Sequence, residues 1–150
     1  MGTDRRQMGP RDSPGFLMWR ATLAWQRSVA AALRPLDLTH VQFVLLASTG
    51  WLCSTGERPP SQRALADQTG TDPMTTSQVV RALEGKKLVE RLPDPRDSRA
   101  KLVGITEQGR ELLAKAQPAV EDADTAFFAE VPRADALAVL RPLAGDRWVE

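Results

Sequence analysis

The chain is predicted to be mainly α with a small β wing: a winged helix-turn-helix with six helices, forming an obligate homodimer through its N- and C-terminal helices. Three observations predict it. Apolar residues recur with the 3.6-residue helical period over most of the length. Two short helices meet at a Gly-containing turn within residues 61–85. Immediately afterwards the period shortens to two strand-like runs around a turn rich in Pro, Asp and Arg.

Residues 16–34, FLMWRATLAWQRSVAAALR, form the first expected helix, apolar over most of its circumference except for Arg20, Arg27 and Arg34 at seven-residue spacing. Such a helix needs burial on nearly every side, and Pro35 ends it. Residues 1–15 are expected to be a mobile tail. Thr39 to Gln42 fits a capping box opening a second, almost wholly apolar helix that runs through Cys53. Ser61 caps a third helix, stopped by Gly70, and Asp72 with Pro73 opens a fourth.

In the fourth helix Thr76, Val79, Val80 and Leu83 share the inner stripe, which turns Thr75, Ser77, Gln78 and Arg81 toward solvent. Leu88–Leu92 and Lys101–Ile105 flank PDPRDSRA as a hairpin with a basic tip. A long helix opens at Thr106 and keeps its period to about Val131, kinked at Pro118, and a last helix spans Arg133 to Leu143. The expected organisation is therefore a tail (1–15), a dimerisation helix (16–35), a winged helix-turn-helix (36–105) and C-terminal dimerisation helices (106–150).

With 150 residues, 42% hydrophobic and 26% charged, the chain has the balance of one globular domain or subunit. No apolar run approaches the roughly 18 residues of a membrane span, and the N-terminus lacks an apolar secretory core, so a cytoplasmic protein with no membrane partner is expected. Cys53 is the single cysteine and His40 the single histidine, which leaves no internal disulfide and no plausible zinc set; no metal and no cofactor are expected. Neither a G-x-S-x-G elbow nor a glycine-rich phosphate loop is present, and no catalytic residue is assigned. On one helix, His40 and Cys53 would stand roughly 20 Å apart, too far to act as a nucleophile and its base.

The net charge of +1 conceals an uneven distribution. Residues 75–101 carry seven Lys or Arg against four acids, whereas residues 102–150 carry five against nine. A basic helix-turn-helix followed by a hairpin suits a duplex: the second helix enters the major groove and the tip reaches the neighbouring backbone or minor groove. Thr75, Thr76, Ser77, Gln78 and Arg81 on the helix, Lys86 and Lys87 after it, and Arg96 and Arg99 in the wing are the candidate DNA contacts. Hydroxyls bond phosphate or base edges, Gln pairs with adenine, and Arg reads guanine. Arg91 and Lys101 add sequence-independent phosphate affinity. Of Arg96 and Arg99, one is expected to face the groove and the other to pair with Asp94 or Asp97.

DPMTTSQVVRALEGKKLVERLPDPRDSRAKLVGITEQGRELL resembles the recognition helix, wing and following helix of the MarR family of bacterial transcriptional regulators. The family's wing signature, roughly D-x-R-x-x-R before a strand ending in Leu-Thr, is met by Asp94, Arg96 and Arg99, with Ile105-Thr106 in the last place. Leu36, Leu38 and Thr39 match its second-helix opening. Two departures stand out: Gly85 lies two residues early for the glycine that usually precedes Leu-Val, and Gln78 stands where many members carry arginine. The resemblance implies a homodimer on a palindromic double-stranded operator, acting as a repressor that a small aromatic or phenolic effector can release.

Trp19, Arg20, Trp25, His40, Phe43 and Trp51 are the candidate effector residues; the alternative makes the tryptophans plain core and interface residues and His40 an exposed first-turn residue. Two further alternatives are a winged helix used as a protein-interaction module and a thiol-based redox sensor at Cys53.

Overall fold

Ser13 and Pro14 set the start of the first long helix, two residues earlier than the apolar periodicity alone suggests. The computed structural model describes residues 9–145. After a 3-10 turn (Pro10–Asp12), α1 (Pro14–Leu33) begins with proline at its first position and the Ser13 hydroxyl accepting from the Phe16 amide at 3.3 Å. Regular structure therefore starts inside the segment expected to be a tail; residues 1–8 of that segment, and residues 146–150 of the C-terminal one, lie outside the described residues.

A 3-10 turn (Arg34–Leu36) and Asp37, in the left-handed conformation at φ 53°, reverse the chain into α2 (His40–Thr55). The capping box forms in both directions: Gln42 N–H donates to the Thr39 hydroxyl and Thr39 N–H to the Gln42 side chain, each at 3.2 Å. α2 is the central helix and buries Leu45, Leu46, Thr49 and Leu52. α3 (Gln62–Thr69), capped by Ser61, ends at Gly70 with φ 71°. α4 (Pro73–Gly85) follows at once, with Asp72 as cap. Three hydroxyls in series, Thr69, Thr71 and Thr76, each 2.7 Å from the next, hold this turn together.

β1 (Val89–Asp94) and β2 (Asp97–Ile105) form the antiparallel wing, with Val89 opposite Ile105 and an irregularity at Pro93/Asp94. The connector before α3 joins its outer edge, because Val103 N–H donates to the Pro60 carbonyl at 2.8 Å and Ser61 bridges Leu102. α5 (Glu107–Phe127) runs as one helix through Pro118. It ends four residues before the expected Val131, and α6 (Arg133–Ala144) completes the described fold.

The core lies where α1, α2, α3, α4, α5 and the base of the wing converge, on Leu33, Leu45, Leu46, Leu65, Leu83 and Val103 among others. α6 contributes nothing to it and has no buried residue. Among the described residues no single helix is long and apolar enough to cross a membrane.

Two details fix the head on α5. The Thr106 side chain donates to the Lys87 carbonyl at 2.7 Å, and Thr106 N–H to the Leu88 carbonyl at 3.1 Å. A Cβ at Gly109 would lie 2.1 Å from the Leu88 oxygen, so only glycine fits there.

The end of α4 explains the displaced glycine. Gly85 is still helical, and the left-handed residue is Lys87, at φ 61°. Leu88 N–H reaches the Leu83 carbonyl at 3.0 Å, closing the helix in a Schellman arrangement around a lysine. Left-handed backbone costs an L-residue about 1–2 kcal/mol, and glycine loses part of that advantage through its greater freedom when unfolded. Lys87→Gly is expected to raise unfolding stability by about 0.5–1 kcal/mol, read as a higher urea midpoint with unchanged slope.

Candidate nucleic-acid interface

α4 presents its outer face because Thr76, Val79, Val80 and Leu83 are consumed by the core. At about 100° per residue, Met74, Gln78 and Arg81 fall within about 60° of one another, opposite that buried stripe. All three are exposed, and Ser77 and Thr75 flank them half-buried.

Thr76 does not belong to this face. It is fully buried, with its hydroxyl 2.9 Å from the Asp72 carbonyl and 2.7 Å from Thr71, so it serves the turn and not a ligand. The helical period puts it on the inner stripe, and its residue type alone made it a candidate contact. Thr75 is partly committed as well: its hydroxyl donates to the Asp72 carboxylate at 2.6 Å while its amide caps the helix at 2.9 Å, leaving the oxygen to accept. The Thr75 hydroxyl, and after it the Thr75 amide, hold the Asp72 carboxyl below its ordinary value.

Lys86 also turns inward. Its ammonium donates to the Asp37 carbonyl and to Gln42 Oε1 (3.2 Å), and pairs with the Asp37 carboxylate at 3.4 Å, tying the end of α4 to the start of α2. Lys87 stays exposed. Arg91 reaches from β1 to α4, where its guanidinium donates to the Ser77 carbonyl at 3.1 Å and its amide to Glu84 at 3.2 Å. Its Nε is buried without a partner among the described residues, which marks Arg91 as a strut between wing and helix more than a phosphate contact.

The expected pairing of a wing arginine with Asp94 or Asp97 is corrected. Asp94 is buried and takes Arg58 as its partner, at 3.1 Å, from the connector between α2 and α3; that connector carried no sequence signal for this role. The wing arginines use only their backbones: Arg96 N–H donates to Asp94 and Arg99 N–H to Asp97, each at 2.9 Å. Both side chains are left exposed, and among the described residues neither has a side-chain hydrogen bond or ion pair, as is also true of Arg81. The Arg96 amide, and after it the Arg58 guanidinium, hold the Asp94 carboxyl below its ordinary value, against burial, which pushes it up.

The effector candidates divide. Trp25 and His40 come together where α1, α2 and α5 meet, and Phe43, three residues along α2 from His40, is half-buried against the core. Trp25 Nε1–H donates to Asp124 at 2.7 Å, and its ring meets His40 edge to face at 4.8 Å. Burial lowers the His40 pKa, opposed by the Asp124 carboxylate, which raises it. Trp19 and Trp51 are 63% and 61% exposed, and Arg20 is exposed with them. Cys53 is half-buried near the wing, its thiol 3.8 Å from the Val103 carbonyl.

An exposed helix, set after a tight turn and beside an arginine-tipped hairpin, defines a winged-helix DNA-binding protein. Comparison with known proteins agrees. The MarR family model matches residues 38–101. The HTH-type transcriptional regulator YdcH of Bacillus subtilis is 50% identical over 121 residues, which cover 81% of this chain and 82% of that protein. CouR of Rhodococcus jostii RHA1, solved with p-coumaroyl-CoA, superposes with a TM-score of 0.80 at 28% identity, covering 96% of this chain and 100% of that one. A mutant form of MarR from E. coli, solved with operator DNA, superposes with a TM-score of 0.74 at 27% identity, covering 87% of this chain and 89% of that one. The chain belongs to the MarR family, and it is a helix-turn-helix transcriptional regulator.

The Asp94 brace sets a pH dependence. A carboxyl with a lowered folded-state pKa stabilises above its unfolded value, about 3.9, and that stabilisation is lost as pH falls through the folded value. The Arg96 amide resonance is expected to hold steady from neutral pH to about pH 4 and to shift below it. Asp94→Asn should remove that titration and speed amide exchange at Arg96; a wing whose exchange is unchanged in the variant would show that the pair does not hold it.

Proposed function

We propose that two copies of this chain pair through α1, α5 and α6 and bind a palindromic operator as a repressor that a small aromatic effector releases. The observation that carries the DNA half is the set of exposed cations Arg81, Lys87, Arg96 and Arg99, collected on the recognition helix and wing with no side-chain hydrogen bond or ion pair among the described residues. Asp94 and Asp37 pair with Arg58 and Lys86, and Asp72 accepts from Thr75, so none of these three carboxylates is paired with the exposed cations. The solved MarR complex with operator DNA supports the same reading by likeness of fold.

Pairing is supported by surfaces the protomer leaves uncovered. Phe16, Leu17, Met18 and Trp19 on α1, and Val139, Leu140 and Leu143 on α6, are each at least 43% exposed. Apolar stripes on two helices call for a partner, and a second copy supplies the same stripes in return. Two-fold symmetry then separates the heads by about 34–36 Å, one turn of DNA. Such a protein works in the cytoplasm, with the chromosome.

For the effector, the junction of Trp25 and His40 is the favoured site, with Phe43 nearby on α2 and Arg20 of α1 available to an anionic group. CouR, solved with an aromatic acyl thioester, supports that class of compound. A ligand wedged there would change how α5, with the head fixed to it, sits against α1 and so misalign the two heads.

Footprinting on the DNA beside its own gene, across salt and with a panel of aromatic acids, tests the reading. A symmetric footprint of about two turns, a steep fall of affinity with salt and release by one of the acids are the expected results. A footprint of one half-site, with a monomer in sedimentation equilibrium, would overturn the pairing. Within the interface, Arg81→Ala is expected to relax preference at one base position by about 1–3 kcal/mol, whereas Lys87→Ala weakens operator and random DNA alike and lowers the salt slope by about one. Equal losses on both DNAs for both variants would refute that division. Retained operator binding by the double Arg96→Ala, Arg99→Ala variant would instead favour a wing that meets a protein.

A further inference from the structure

The centre of the α4 reading face holds an apolar side chain that the charged and polar contacts leave unexplained. Met74 is 71% exposed, more than any other large apolar residue among those described. It occupies the first turn of the helix, right after Pro73, and lies on the same line as Gln78 and Arg81. Gly85 continues that line at the far end, where a Cβ would meet nothing within 4 Å, so the line is bare of bulk beyond Arg81.

The covering offered to α1 and α6 by a second copy does not account for Met74, which sits on the opposite side of α4 from the core. Its neighbours along the helix are the groups that read DNA in the function proposed above, on which this inference rests. First-turn residues of a recognition helix are the ones that reach base edges. From Met74 to Arg81 the helix rises about 10 Å, or about three base-pair steps.

In the major groove the one apolar feature on a base edge is the C5-methyl of thymine. Methionine suits it: the side chain is long, unbranched and polarizable, and adapts to a small apolar target without a hydrogen-bond requirement. We propose that Met74 is a specificity-determining residue that reads a thymine methyl in each operator half-site, two to three base pairs from the position read by Arg81. Gln78, between them, reads the intervening step. The face is thus a mixed one, with one apolar and two polar readers in a row.

The test deletes the methyl and leaves every hydrogen bond in place. The tightest duplex selected by the wild-type protein from a random-sequence library is resynthesised with each thymine replaced in turn by uracil, and affinity is read by fluorescence anisotropy at fixed salt. One symmetric thymine pair is expected to be sensitive, with a loss of about fourfold for one half-site and about fifteenfold for both, the size expected for removing one buried methyl group. Met74→Ala should bind the thymine duplex as weakly as wild type binds the uracil duplex, and show no further loss with uracil. Alanine is the best helix former and the position is exposed, so the variant folds; Met74→Gln, similar in length, should lose the methyl preference too.

Sensitivity to uracil that persists unchanged in both variants would overturn the assignment to Met74. Absence of any uracil-sensitive thymine, in a duplex that the protein nevertheless binds sequence-specifically, would overturn methyl reading while leaving operator binding intact. Failure to enrich any duplex would overturn both together.

Discussion

A backbone carbonyl pressed into the space of a missing side chain holds the molecule together functionally. The Leu88 oxygen lies where Cβ of any residue other than glycine at 109 would begin, and Thr106 binds both that carbonyl and the one before it. Four elements end or begin within this junction: α4, β1, β2 and α5. The recognition helix therefore leaves the head at an orientation fixed against α5 by atoms in direct contact, with no flexible linker between. Interiors at this density respond to a push by switching arrangement and do not yield gradually. A shift of α5 would therefore pass to the reading face through these contacts.

Around that junction, most polar chemistry is committed to rigidity. The Thr69, Thr71 and Thr76 hydroxyls fasten the turn, Lys86 bridges to α2, Arg91 joins β1 to α4, and Arg58 anchors the buried Asp94 at the wing. Each of these side chains belongs to a type that binds nucleic acid when free. Their engagement inside the protein is what leaves a narrow, well-placed set on the outside. A reading surface gains precision from positioned neighbours, because ordering of loose side chains on binding would cost about 0.5–1.5 kcal/mol each.

Local features were legible in the residues themselves, and distant ones were opaque. The Thr39–Gln42 box, the Ser61 cap, the Gly70 stop and the Asp72-Pro73 opening rest on contacts three or four residues apart, and each formed where the residues indicated. The hairpin was readable but its extent was not, since the strands run on to Asp94 and resume at Asp97, inside the PDPRDSRA stretch expected to be the turn. What could not be read were partnerships across the fold: Arg58 with Asp94 lies 36 residues apart, Trp25 with Asp124 lies 99 apart, and neither has a pattern in one sequence. Lys87 escaped for a different reason, since a left-handed lysine breaks the rule that such positions take glycine. Met74 escaped because an apolar residue at the start of a helix reads as core until its exposure is known.

α6 is the opposite case. A 12-residue helix with none of its residues buried is too short to persist in water on its own. Its order is borrowed from whatever lies against it. If that is a second copy, the helix exists only at concentrations where subunits find each other, and the number of regulator molecules in a cell sets not just how much operator is occupied but how much of each molecule is folded.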